Sequence, residues 1–180
     1  ILNHCCFWIM ATIPTPLQER LAAVRTRIAQ ACEAAARPAD AVRLLAVSKT
    51  FPAAAVLEAA DAGQTEFGEN YVQEAVEKIA ALRNMTSSPL VWHFIGPIQS
   101  NKTRPIAENF DWVHSIDRDK TARRLSEQRP DSLPPLQVCI EVNVSGEASK
   151  SGVAPAEVAA LARHVAGLPR LKLRGLMAIP

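Results

Sequence analysis

The feature that most constrains this chain is a regular alternation of short apolar runs with segments of helical length and amphipathic pattern. The runs predict strands over residues 42–48, 66–68, 91–95, 112–116, 136–144 and 171–179. Between them, helices are expected over 53–62, 71–82, 102–108, 120–127 and 155–166. A further amphipathic helix over 17–35 precedes the first strand, where Leu21, Val24, Ile28 and Ala31 recur at three- and four-residue steps. Strands that are apolar nearly throughout are buried on both faces, the condition of a parallel sheet covered by helices. Two architectures meet it: an open doubly wound sheet, or an eight-stranded barrel. The open sheet usually carries glycines in its first βα turn to cradle a phosphate. Here that turn is Ser48-Lys49-Thr50-Phe51-Pro52, with neither GxGxxG nor a P-loop. The expected class is therefore α/β, a (β/α)8 TIM-type barrel. With 180 residues and six legible strands, against a usual length of about 250 residues, the barrel is expected to be incomplete, with about six of eight βα units.

Composition narrows the function. Hydrophobic residues make up 48% of the chain, enough for a core and too many for a disordered segment. A net charge of +2 from 20 basic and 18 acidic residues, spread without a basic run, gives no footprint for nucleic acid. The cysteines Cys5, Cys6, Cys32 and Cys139 form no CxxC pair or metal-ligand spacing, which fits a reducing, cytoplasmic setting. His4 beside Cys5 and Cys6 crowds three candidate ligands into consecutive positions, and no metal is expected there. Residues 1–9 are too short to span a membrane and lack the parts of a signal peptide. The natural start is expected at Met10, with residues 1–9 as translated upstream sequence or a cloning scar and residues 10–180 as one partial barrel domain.

One residue stands out against the apolar runs. Lys49 closes the first of them, at the carboxyl end of a strand, where an α/β barrel keeps its chemistry. A buried ammonium is costly unless it is paired or its charge is consumed. A Schiff base with an aldehyde cofactor would consume it; alternatively the side chain snorkels into solvent. The other strands also end in polar clusters: residues 67–74, 92–102, 114–117, 141–145 and 175–180. Polar groups at the same end of successive parallel strands converge on one mouth.

These clusters carry a family resemblance. Leu45-Ala46-Val47-Ser48-Lys49-Thr50, Phe67-Gly68-Glu69-Asn70-Tyr71-Val72-Gln73-Glu74 and Trp92-His93-Phe94-Ile95-Gly96-Pro97-Ile98-Gln99-Ser100-Asn101-Lys102 resemble the pyridoxal phosphate homeostasis proteins, which are related to the N-terminal barrel of alanine racemase. So do Ser149-Lys150-Ser151-Gly152 and Leu173-Arg174-Gly175-Leu176-Met177-Ala178-Ile179-Pro180, in the same order along residues 17–180. The resemblance implies a fold-type III pyridoxal phosphate barrel, with pyridoxal 5'-phosphate as cofactor and Lys49 as its Schiff-base lysine. It implies that Asn70 and His93 lie near the cofactor and that Met177 lines its pocket. From the residues alone, Asn70 also reads as a turn or cap residue, His93 equally as a satisfied core histidine, and Met177 as core filler. The 149–152 run also reads as a solvated loop and is given no catalytic role. In the family the pattern continues with a Ser/Gly-rich turn and an Arg-Ile-Gly-Thr-like run that hold the phosphate and the pyridine nitrogen. The chain is therefore expected to be C-terminally truncated, with the phosphate-binding residues beyond Pro180.

The function so implied is intracellular vitamin B6 homeostasis: pyridoxal phosphate is carried without a dedicated turnover reaction. Apoenzymes that use the cofactor are the implied partners, no membrane or nucleic acid is involved, and the complete protein is expected to be a monomer. The alternative is an amino-acid racemase, which needs acid/base groups on both faces of the substrate–cofactor adduct. Tyr71 is the only tyrosine of the chain, and it begins a helix rather than closing a strand. A third reading, a non-catalytic partner-binding fragment, would leave Lys49 incidental.

Overall fold

The computed structural model describes residues 15–147 and 149–179. The expected start at Met10, the extension over residues 1–9 and the His4-Cys5-Cys6 group lie outside the described residues. The chain divides into two units, Ile1–Arg43 and Leu44–Pro180. The first holds helix α1 (Pro16–Ala34). Its start is a capping box: Gln18 N–H donates to Thr15 Oγ1, the Gln18 side chain accepts from Thr15 N–H, and Pro16 occupies the first turn.

The second unit is a parallel sheet with helices between its strands. In chain order it contains β1 (Ala46–Val47), α2 (Ala53–Asp61), β2 (Glu66–Glu69), α3 (Val72–Leu82), β3 (Val91–Phe94), α4 (Thr103–Asn109), β4 (Trp112–Ile116), α5 (Asp119–Gln128), β5 (Leu136–Glu141), α6 (Val158–Ala166) and β6 (Leu171–Met177). A 3₁₀ turn over Pro155–Glu157 opens the segment predicted as helix over 155–166. The spatial order is β1-β2-β3-β4-β5-β6, parallel throughout. This order separates the two architectures that the sequence permits. A doubly wound sheet reverses direction at a switch point, whereas sequential order with right-handed crossovers keeps all helices on one face and leaves the other concave. The sheet is therefore of barrel type, with six strands among the described residues.

Side chains sort by this geometry. Phe94 packs edge-on to Phe110 at the end of α4, with ring centroids 5.3 Å apart, a pair worth about 0.5–1.5 kcal/mol beyond its buried area. Trp92 and Phe94 thus face the helices, and His93 between them faces the concave side. The helix-side core is Phe67, Phe94, Ile106, Phe110, Val113, Ile116, Leu125, Leu136, Val138 and Ile140, all at most 1% exposed. Below it, buried Arg129 donates from Nη1 to the carbonyls of Ala107 and Phe110, both at 2.7 Å, and from Nε to that of Pro134 at 2.8 Å.

Three strands are shorter by two residues or more than the apolar runs predict. The run at 42–48 contributes only Ala46 and Val47 to the ladder, because the Gln64 side chain takes Leu44 O at 2.8 Å and Glu66 O at 2.8 Å, ending the pairing there. Beyond Glu141 the predicted 136–144 strand leaves the sheet, and Val142 forms an isolated bridge with Val153. Gly152 makes that bridge possible, since a Cβ there would lie 2.7 Å from Asn143 N and 2.8 Å from Val142 C, and its φ is +107°. With its partner gone, β6 stops at Met177 rather than 179. No helix among the described residues is long and apolar enough to cross a membrane.

Candidate functional site

The carboxyl ends of β1, β2 and β3 form one level of the mouth. Register pairs Val47 with Gly68 and Gly68 with His93. Two residues further along, on the same concave face, come Lys49 and Asn70, with the bonds Ser48 N–H to Gly68 O and Ile95 N–H to Glu69 O, both 2.9 Å, carrying the pairing past the strand ends. His93 therefore lies one step deeper than Lys49 and Asn70, about 7 Å along the strand direction.

Lys49 is exposed, and among the described residues no acceptor pairs with its Nζ. It is the second residue of a tight turn closed by Phe51 N–H to Ser48 O at 3.1 Å. Asn70 is half-buried, and its Oδ1 is buried without a hydrogen-bond partner. Its backbone fits against Gly96: a Cβ at residue 96 would stand 2.7 Å from Asn70 Cβ, 2.8 Å from its carbonyl oxygen and 2.9 Å from its Cα. Ser115, from β4, donates to the Gly96 carbonyl and fixes that close approach.

His93 is 4% exposed. Its Nδ1 lies 2.9 Å from His114 Nε2, so one ring donates and the other accepts, and it stacks on Trp112 with centroids 5.4 Å apart and planes 12° apart. Glu66 Oε2 stands 3.6 Å from His93 Nε2. Burial lowers the pKa of His114, with Glu66 opposing, so this ring stays neutral to lower pH than a free imidazole.

Met177 lies elsewhere. It pairs with Glu141, three strands from His93 in the sheet order. A bulge sets its direction: Val138 pairs with Leu173 but Cys139 with Gly175, so Arg174 is an extra residue in β6. Without it, period-two alternation would turn Met177 away from the face that Glu141 occupies. Glu141 is 6% exposed; burial pushes its carboxyl above the ordinary range, and Asp117 adds to the effect. A cleft of about 180 Å³ opens here, lined by Ile95, Pro97, Glu141, Asn143, Lys150 and Ile179 among others. The 149–152 run thus borders the mouth through Lys150 and Ser151. A larger cleft, about 490 Å³, lies at the opposite ends of β3 and β4 around Leu82, Trp92, Asp111 and Arg129. That end of a barrel serves stability, so the smaller cleft at the mouth is the functional candidate.

Sequence reasoning missed a second layer behind Lys49. On the helix side, Lys78 of α3 donates to Glu69 Oε1 at 2.6 Å, to Ser48 O at 2.9 Å and to Glu74 Oε1 at 3.1 Å. Ser48 Oγ also donates to Glu69 Oε1 at 2.6 Å, and Thr50 N–H donates to Glu74 Oε1 at 2.9 Å. Glu69 is wholly buried and Lys78 is 5% exposed. The four-residue spacing of Glu74 and Lys78 is the one signal of this cluster legible in the chain. No group of three or more His, Cys, Asp or Glu among the described residues is placed to hold a metal ion.

The alanine racemase N-terminal domain family matches residues 20–180. The pyridoxal phosphate homeostasis protein of Pseudomonas aeruginosa is 65% identical over 164 residues, 91% of this chain and 70% of the relative. That of Escherichia coli K12 is 56% identical over the same shares. Among solved structures, PipY of Synechococcus elongatus with PLP bound superposes with a TM-score of 0.76 at 38% identity, covering 91% of this chain and 70% of that one. An alanine racemase of Clostridium difficile superposes with a TM-score of 0.63 at 15% identity, over 93% of this chain and 43% of its own, a likeness of fold alone.

Proposed function

Because the chain belongs to the pyridoxal phosphate homeostasis protein family, built on the alanine racemase N-terminal domain, we propose that it binds pyridoxal phosphate through Lys49 and serves vitamin B6 homeostasis. The observation that carries this reading is an exposed amine at the end of β1, level with a buried, unpartnered Asn70 Oδ1. When bound, the cofactor supplies an aldehyde with which an unprotonated lysine amine condenses reversibly, releasing one water. Asn70 offers an acceptor to a hydroxyl or protonated ring nitrogen. His93, held by His114 and Trp112, forms a fixed floor one step below. Met177 presents a soft apolar surface beside Glu141, whose raised pKa suits it to holding a proton at the mouth.

The role so assigned is carriage rather than turnover. Inverting an α-carbon needs an acid/base group on each of two opposite faces, one to take the proton and one to return it, and Tyr71, 57% exposed, is the cap residue of α3 rather than part of a strand end. A cytoplasmic setting, a monomeric state, residues 10–180 as one domain and delivery to cofactor-dependent apoenzymes complete the reading. It is tested by mixing the chain with pyridoxal phosphate, reducing with borohydride and mapping the peptides. The reduced adduct is expected on Lys49; an adduct on Lys102 or Lys150 with Lys49 clean would overturn the assignment.

A further inference from the structure

We propose that Glu74, held in place by Lys78, is a positioning residue for Lys49: by accepting the Thr50 N–H it keeps the Ser48–Phe51 turn in the shape that aims the Lys49 amine into the mouth. The proposal rests on Lys49 as the cofactor-bonding residue and adds the device that orients it.

The turn needs such a device. Thr50, directly after Lys49, has φ +66°, the left-handed region that a β-branched residue rarely adopts. The third position of a tight turn with positive φ ordinarily belongs to glycine or asparagine. A threonine stays there only when its surroundings over-determine it. Three contacts from the helix side do so. Glu74 takes the Thr50 N–H at 2.9 Å, Lys78 donates to the Ser48 carbonyl at 2.9 Å, and Ser48 Oγ donates to Glu69 at 2.6 Å. The peptides on either side of Lys49 are thus both anchored to α3, while its own side chain is left unpartnered on the other face. Relaxation of Thr50 to negative φ would rotate the Lys49–Thr50 peptide and swing the lysine off the level of Asn70. Lys78 also holds the Glu74 carboxyl below its ordinary pKa, with the Thr50 N–H adding to the effect. The acceptor is therefore ionised throughout the neutral range.

Glu74 is suited to a test because its side chain is 38% exposed, and its removal leaves Lys78 with Glu69 and Ser48 O. Parent chain, Glu74→Ala, Glu74→Gln, Thr50→Gly and the Thr50→Gly/Glu74→Ala pair are compared by two readouts. The first, with no cofactor present, is hydrogen exchange at the Thr50 amide. The second is the rate at which pyridoxal phosphate and borohydride mark Lys49 relative to Lys102. Glu74→Ala is expected to speed Thr50 exchange and slow Lys49 marking by roughly tenfold each, the scale of one hydrogen bond to a charged group, with little change in the unfolding midpoint. Glu74→Gln, which keeps an acceptor, should stay within a few-fold of the parent. Glycine adopts positive φ without an anchor, so Thr50→Gly should make Lys49 marking insensitive to the residue at 74. Parent-like marking and exchange in Glu74→Ala, or a pair that marks no faster than Glu74→Ala alone, would overturn the proposal. A parent chain that exchanges as expected but is never marked at Lys49 would instead overturn the cofactor assignment beneath it.

Discussion

Replacing Lys78 by methionine removes the only cation that touches the wholly buried Glu69 among the described residues. The Lys78–Glu69 contact is 2.6 Å, between side chains 4% and 0% exposed, so its loss leaves a buried charge with one remaining donor, Ser48 Oγ. Breaking a buried pair from one side costs about 3–5 kcal/mol. The Lys78–Glu74 leg adds little, since the 38% exposed carboxylate makes it close to a surface pair worth about 0–1 kcal/mol. For a domain of this size each kcal/mol moves the unfolding temperature by about 2–4 °C, so Lys78→Met should lower it by roughly 6–20 °C. The cost comes from the stranded charge rather than from lost packing, because methionine keeps most of the stem. Lys78→Met/Glu69→Gln should therefore recover at least about 2 kcal/mol, within the range measured for directly coupled residues. Urea denaturation followed by circular dichroism and tryptophan fluorescence at neutral pH measures both. A Lys78→Met chain within about 1 kcal/mol of the parent, or a double variant no more stable than the single, would refute the reasoning.

Gly96→Ala should dislodge Asn70, because the new Cβ would meet its backbone oxygen at 2.8 Å and its Cα at 2.9 Å; overpacking of this kind costs about 1–3 kcal/mol. Cofactor titration and thermal melting should both record a loss, and an unchanged variant would show that the close approach does not matter. His114 titrates below its ordinary 6.5 because it is buried, so the unfolded chain takes up a proton that the fold refuses. Stability should then fall as pH drops below about 6.5, until the folded-state value is reached. Urea midpoints at pH 7.5, 6.5 and 5.5 should show this slope, and His114→Asn should flatten it; an identical slope in the variant would place its origin elsewhere. No exchange of the α-hydrogen of alanine above background is expected in deuterated water with pyridoxal phosphate present. Robust exchange with inversion, lost on Lys49→Ala, would make the racemase reading correct.

The sequence alone determined the alternation of elements and the placing of Lys49 where β1 hands over to a turn. Apolar period, helix stops and caps are local, so α2, α3, α5 and β4 fall within a residue or so of where the pattern predicts them. Sheet order was not legible, because a doubly wound sheet and a barrel use the same βα units. The glycine-free first βα turn, Ser48-Lys49-Thr50-Phe51-Pro52, pointed to the barrel, and the β1-to-β6 order bears that out. Strand length was over-read at 42–48, 136–144 and 171–179, since apolar residues make a strand eligible while a hydrogen-bonded neighbour makes it real. The extra residue at Arg174 that turns Met177 toward Glu141 leaves no mark on the hydrophobic pattern. Nor could the layer behind Lys49 be read locally: Ser48, Glu69 and Lys78 lie 9 to 30 residues apart in the chain. They meet only because parallel register sets the ends of β1 and β2 side by side beneath α3, where a buried carboxylate and a buried ammonium must find each other.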